Sequence, residues 1–231
     1  MKKLLILSFV LLTGLSALAA APAAKPADPE PDPLEQWTFF QIGLFPGIPA
    51  ATRTSNVYGI KSGWPICNGY GRVFGIEASW LLSGTAYAYG IQASWVSCWT
   101  KEFGGIQAAF LYTGNTVRFD GIQATLGVAM AGDFNGLQAS ALNISGDATG
   151  LQAAATVNVS GDVTGFQTCV LVNVAKDVTG LQIAGVNKAA ENTGLQLGIV
   201  NVAKHGGVQF GLINYIKESA LPFFPILNIC F

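Results

Sequence analysis

Residues 161–187 read GDVTGFQTCVLVNVAKDVTGLQIAGVN, and they say nearly the same thing twice. Gly165-Phe166-Gln167 returns as Gly180-Leu181-Gln182, Asn173 returns as Asn187, and Asp162-Val163-Thr164 returns as Asp177-Val178-Thr179. Recurrence at fixed phase is the mark of a repeat architecture, and it decides the fold before local propensity does.

Followed in both directions, the glycine recurs at Gly59, Gly75, Gly90, Gly105, Gly121, Gly136, Gly150, Gly165, Gly180, Gly194 and Gly207, in steps of 13 to 16 residues. From Gly90 on, glutamine stands two residues later, at Gln92, Gln107, Gln123, Gln138, Gln152, Gln167, Gln182, Gln196 and Gln209, with Glu77 one unit earlier. Asparagine recurs at Asn143, Asn158, Asn173, Asn187, Asn201 and Asn214. Within a unit the pattern is that of a strand. Leu151, Ala153, Ala155, Val157 and Val159 take one face, and Gln152, Thr156 and Asn158 take the other. Turn signals such as Ser160-Gly161-Asp162 separate the units.

Two all-β architectures satisfy the backbone. In a β-solenoid of about eleven 14–15-residue coils, like residues stack on like and amide ladders hydrogen-bond along the stack. In an antiparallel up-and-down outer-membrane barrel of roughly 12–14 strands, each repeat is one strand. The solenoid is favoured. The turns do not alternate in length as barrel rims do, and Asn187 and Asn201 share parity with Leu181 and Leu195, which a lipid-facing strand would avoid. The aromatic first units and the irregular ending YIKESALPFFPILNICF are expected to be caps.

The chain begins with Met1-Lys2-Lys3, an apolar run from Leu4 to Leu18 and the small-x-small site Ala17-Leu18-Ala19. This predicts a signal peptide over 1–19, a Pro/Ala-rich tether over 20–36 and a single β repeat domain over 37–231. The expected location is the cell surface or outer membrane, with the periplasm as the alternative. Loss of Lys2 and Lys3 leaves 10 basic against 13 acidic residues, a net charge of −3 in place of −1. That balance argues against nucleic acid as a partner. Cys67 and Cys98 share a repeat phase but lie two units apart, roughly 9.6 Å in a stack, too far for a disulfide. All four cysteines are expected to be small buried apolar side chains.

The repeat G-L-Q-x-G/A-x-x-N, the entry NVYGIKSGW…VFGIEASW and the ending GVQFGLINYIKESALPFFPILNICF resemble an uncharacterised bacterial surface-repeat family first named from spirochaetes. The resemblance covers roughly residues 38–231. It implies export and a surface location, and it brings no catalytic residue. The second glycine of that repeat is replaced here by Ser140, Ala154, Cys169 and Ala184, all small.

Candidates for chemistry are few. His205 is the one histidine, and the nearby Ser219 and Glu218 form no nucleophile motif. Asp147, Asp162, Asp177 and Glu191 recur in the turns. The three aspartates are weak cation-binding candidates, since their oxygens would stack along one edge. Thr149, Thr164, Thr179 and Thr193 form a parallel column, and Arg118 is expected to pair with Asp120. No cofactor is implied. The reading is a non-enzymatic exported repeat protein with a structural or adhesive role, or, in the barrel case, a small pore. It would offer a face of small and amide residues to a surface or envelope partner, with self-association and membrane association left open.

Overall fold

Each repeat pairs in parallel with the next, in a register that sets like against like. Val163, Thr164, Gly165, Phe166 and Gln167 lie opposite Val178, Thr179, Gly180, Leu181 and Gln182 on one side. On the other they face Ala148, Thr149, Gly150, Leu151 and Gln152. This computed structural model describes residues 36–230. The expected signal peptide and all but the last residue of the tether lie outside them. The strands run from Trp37–Gly43 to Phe223–Cys230 in one 16-stranded sheet that follows chain order. The fold is a β-solenoid of roughly a dozen coils, and among the described residues its one helical element is a short 3-10 turn, Ala50–Thr52.

The barrel alternative fails on this topology. An up-and-down barrel needs antiparallel neighbours and a last strand that closes on the first. Among the described residues the one antiparallel strand pair is the final one, Gly207–Ile216 with Phe223–Cys230, and the first and last strands of the sheet do not meet. That final strand folds back over the last coil as a cap.

A second expectation is overturned. The amide face points inward, not to a partner. Gln152 is 1% exposed and Asn158 is fully buried, while Leu151, Ala153, Val157 and Val159 on the opposite face are part-exposed. Thr156 does not share the amide face either. The strand bends at Ala155-Thr156, both of which are exposed, and Thr156 Oγ1 donates to the Ala141 carbonyl 2.6 Å away. Period-two alternation lapses over these two residues, where the pairing is irregular, and resumes in the same phase at Val157.

The interior is narrow and filled by columns. One is apolar: Val57, Val73, Ala88, Phe103, Phe119, Phe134, Ala148, Val163 and Val178. Its three phenylalanine rings stack at 5.4 and 5.7 Å. The repeat glycines turn the corner beside this column. Gly165 has φ 131°, and a Cβ there would stand 2.3 Å from the Gly150 carbonyl oxygen of the preceding coil. The backbone geometry and the crowding both demand glycine.

Candidate functional site

The interior glutamines form an unbroken one-way chain of hydrogen bonds. Gln92 Nε2 donates to Glu77 Oε2 at 3.2 Å, and Gln107 Nε2 donates to Gln92 Oε1 at 2.7 Å. Gln123, Gln138, Gln152, Gln167, Gln182, Gln196 and Gln209 each repeat this toward the preceding coil. The asparagine column runs the other way. Asn143 Nδ2 donates to Asn158 Oδ1 of the next coil at 2.8 Å, and the pattern continues through Asn173, Asn187 and Asn201 to Asn214. Each asparagine from 143 to 201 also donates to a backbone carbonyl of the next coil, as Asn158 Nδ2 does to Thr168 O at 2.7 Å. A buried amide left unpaired costs about 1–3 kcal/mol, so these ladders are what makes a polar interior tolerable.

The glutamine chain begins on a group that only accepts. Every member donates backward, so the first position needs an acceptor and no donor, and a carboxylate meets that need. Glu77 is fully buried there, and Lys61 stands opposite it in the preceding coil, 1% exposed, with Nζ bonded to Thr85 Oγ1 at 2.8 Å. The second Glu77 oxygen, Oε1, is buried without a hydrogen-bond partner.

Cys67 and Cys98 occupy the same inward column as the asparagines, at 0% exposure. Both are free thiols, as are Cys169 and Cys230, which are only half-buried. Cys98 is more than an apolar filler. Its Sγ lies 3.2 Å from the Ala108 carbonyl, the bond that Ser83 makes to Ala93 and that Asn143 makes to Ala153. Burial pushes the Cys98 thiol up to about 12, which keeps it protonated and able to donate. Burial, and then the Glu77 charge, push the Cys67 thiol higher still.

The turn residues assemble as columns, but they satisfy one another. Asp147 Oδ1 accepts from the Asp162 amide at 3.0 Å, and Lys176 Nζ lies 3.3 Å from Asp162 and 3.2 Å from Asp177. Among the described residues no group of three or more His, Cys, Asp or Glu is arranged to hold a metal ion. Thr149, Thr164 and Thr179 stack in register, and the Thr179 and Thr193 hydroxyls are 3.1 Å apart. Arg118 Nε reaches Asp120 at 2.6 Å, which lowers the pKa of the exposed carboxylate and raises that of the guanidinium. His205 Nε2 meets Glu218 Oε2 at 3.0 Å, and Ser219 Oγ accepts from the Leu221 amide instead.

With the amides inside, the apolar residues are outside. Ile60, Ile76, Ile91, Ile106 and Ile122 stack as one outward column, each 41–45% exposed. Leu137, Leu151, Phe166, Leu181, Leu195 and Val208 continue it. Beside it run Ala78, Ala93, Ala108, Ala124, Ala139 and Ala153, then Thr168, Ile183, Leu197 and Phe210. The corner after this side carries Trp64, Trp80 and Trp95, at 65, 55 and 64% exposure, with the first two rings stacked at 6.2 Å. Around the corner a second side shows Val128, Leu142, Val157, Val172, Val186, Val200 and Ile213. On these two sides, from Gly75 onward, the one outward charge among the described residues is Lys188; Glu77 points inward. The remaining charged residues there, from Lys101 to Glu218, fall on the third side. The sequence reading groups Leu151, Ala153, Val157 and Val159 on one face but does not show that this face is the outward one. The signal for it is that the residues flanking each glutamine are almost all apolar, which forces them outward once the glutamine is inside.

The fold and this surface define a β-solenoid repeat protein with amide ladders beside an apolar column inside and two apolar sides outside. No protein-family model, no curated protein and no solved structure matches the chain.

Proposed function

We propose that this chain is an exported, non-enzymatic repeat protein of the bacterial envelope that acts by displaying a surface. The role is structural or adhesive, on the cell surface or outer membrane. The observation that carries this reading is the partition of the solenoid's residues. Its amides are consumed by interior ladders, and what it presents is a ribbed, nearly uncharged apolar surface along roughly a dozen coils. Contiguous apolar surface of that kind marks an interaction site. The leader pattern of residues 1–19 and the resemblance to a bacterial surface-repeat family support export. Cell fractionation with protease treatment of intact cells is the test. The expected result is protein in the envelope fraction, shortened at its N-terminus and cleaved from outside. Full-length protein in the cytosol would overturn the reading, and an envelope protein shielded until the outer membrane is opened would place it in the periplasm.

A further inference from the structure

The two apolar sides meet at an apolar corner, and that geometry restricts what can cover them. A flat partner, including a second copy of the chain, presses against one plane and leaves the other in water. A fluid apolar medium covers both planes and the tryptophan corner at once. The solenoid suits such a medium. Its backbone hydrogen bonds run from coil to coil and its polar side chains point inward, so little polar surface on these sides has to be desolvated.

Charge complementarity selects the occupant further. Where the second apolar side meets the charged side, in the last coils, a groove of about 550 Å³ has Val174 and Val202 in its wall and Lys176, Lys188, Lys204 and Lys217 around it. Asp162 and Asp177 hold Lys176, and Glu218 lies 3.7 Å from Lys204. Among the described residues no acid lies within ion-pair distance, 4.0 Å, of the Lys188 or Lys217 ammonium. Lysines at the margin of an apolar face can lay their stems along it and carry the ammonium to the level of a phosphate.

We propose that the two apolar sides and the corner between them seat in the acyl margin of a lipid bilayer, with the lysine groove on anionic headgroups. The solenoid then lies on the membrane and does not cross it. This names the partner of the display surface proposed above, and its test in purified components does not depend on where the cell places the protein.

The experiment is flotation of the purified full chain with vesicles of phosphatidylcholine, or of phosphatidylcholine with one quarter phosphatidylglycerol. The chain is expected to float with both and to bind the anionic vesicles about thirtyfold more strongly, from the Lys188 and Lys217 ammonium groups at about 1 kcal/mol each. The double variant Ile91→Asp/Ile106→Asp should stay at the bottom of the gradient. Lys188→Glu/Lys217→Glu should still float on phosphatidylcholine but lose the anionic gain. Circular dichroism of both variants should match the parent, because all four positions face out of the coil. Parent protein that fails to float would overturn the proposal. So would an aspartate variant that floats like the parent, since the outward isoleucine column would then not carry the binding. A dimer in sedimentation velocity that the aspartates dissociate, without vesicle binding, would show that a second copy covers the face. Flotation of a protein found in the cytosol would sink the envelope reading alone.

Discussion

The early and late coils build one backbone on different interiors. In the late coils the second inward column is asparagine throughout, from Asn143 to Asn214, and each residue from Asn158 to Asn201 bonds both neighbours in the column and a backbone carbonyl. In the early coils the same column reads Cys67, Ser83, Cys98, Thr113 and Ala129. There the bonds along the column are gone: Ser83 and Cys98 keep the bond to the carbonyl and each meets a serine four residues earlier, Ser79 and Ser94, while Thr113 Oγ1 finds no partner. The early coils stack rings: Tyr58, Phe74 and Tyr89 at 5.1 and 5.3 Å, then Phe103, Phe119 and Phe134 at 5.4 and 5.7 Å, the last of them on the same strand as Asn143. The coil therefore requires a donor or a small side chain at this position, and it obtains cohesion from ladders or from rings.

The sharpest way to break both halves is at the corner they share. Gly165→Val places a branched side chain at φ 131°, against a carbonyl 2.3 Å from its Cβ. It should cost about 4 kcal/mol or more in urea unfolding. Gly185→Ala, where φ is ordinary and the nearest atom is 3.1 Å away, should cost about 1 kcal/mol. Next in size is a contrast within the column. Asn173→Ala strands Asn158, Asn187 and two carbonyls and should cost about 3 kcal/mol, against about 1 kcal/mol for Cys98→Ala. If the two cost the same, the distinction between laddered and unladdered coils fails.

Glu77→Gln tests the start of the glutamine chain. It removes the charge opposite buried Lys61 and should destabilise by about 3 kcal/mol, with more than half recovered in Glu77→Gln/Lys61→Gln. No recovery in that double-mutant cycle would show that the two residues act separately. The smallest expected effect is Cys98→Ser, within about 0.5 kcal/mol, because the hydroxyl repeats the Ser83 bond. In the parent protein the Cys98 thiol, held near 12, should resist alkylation at pH 8 until urea unfolds the chain.

Much of this was legible in the sequence, and the limits have physical causes. Fixed-phase glutamine and asparagine point to ladders, and ladders point to parallel stacking. Period two also places Gln152 and Leu151 on opposite faces, but it is blind to which face is inside. The usual rule of apolar within picks the wrong one here. The coil is too narrow to enclose a large apolar core, and an in-register amide ladder makes a polar one affordable. Thr156 was misplaced because a bend has no period. The lysine groove could not be read at all, since Lys176, Lys188, Lys204 and Lys217 come from successive coils and converge only once the register is known.

The register has a kinetic side. Rungs of the ladders join residues 13 to 16 positions apart, as Gln209 to Gln196 and Gln123 to Gln107 do. Each new coil thus docks on one just finished, and no loop much longer than a single repeat has to close. For an almost entirely β chain this is a low contact order, and it allows folding to spread from one coil to the next like a zipper. Length then becomes an inherited variable: a whole unit gained or lost by unequal recombination adds or removes one rung and leaves every other contact as it was.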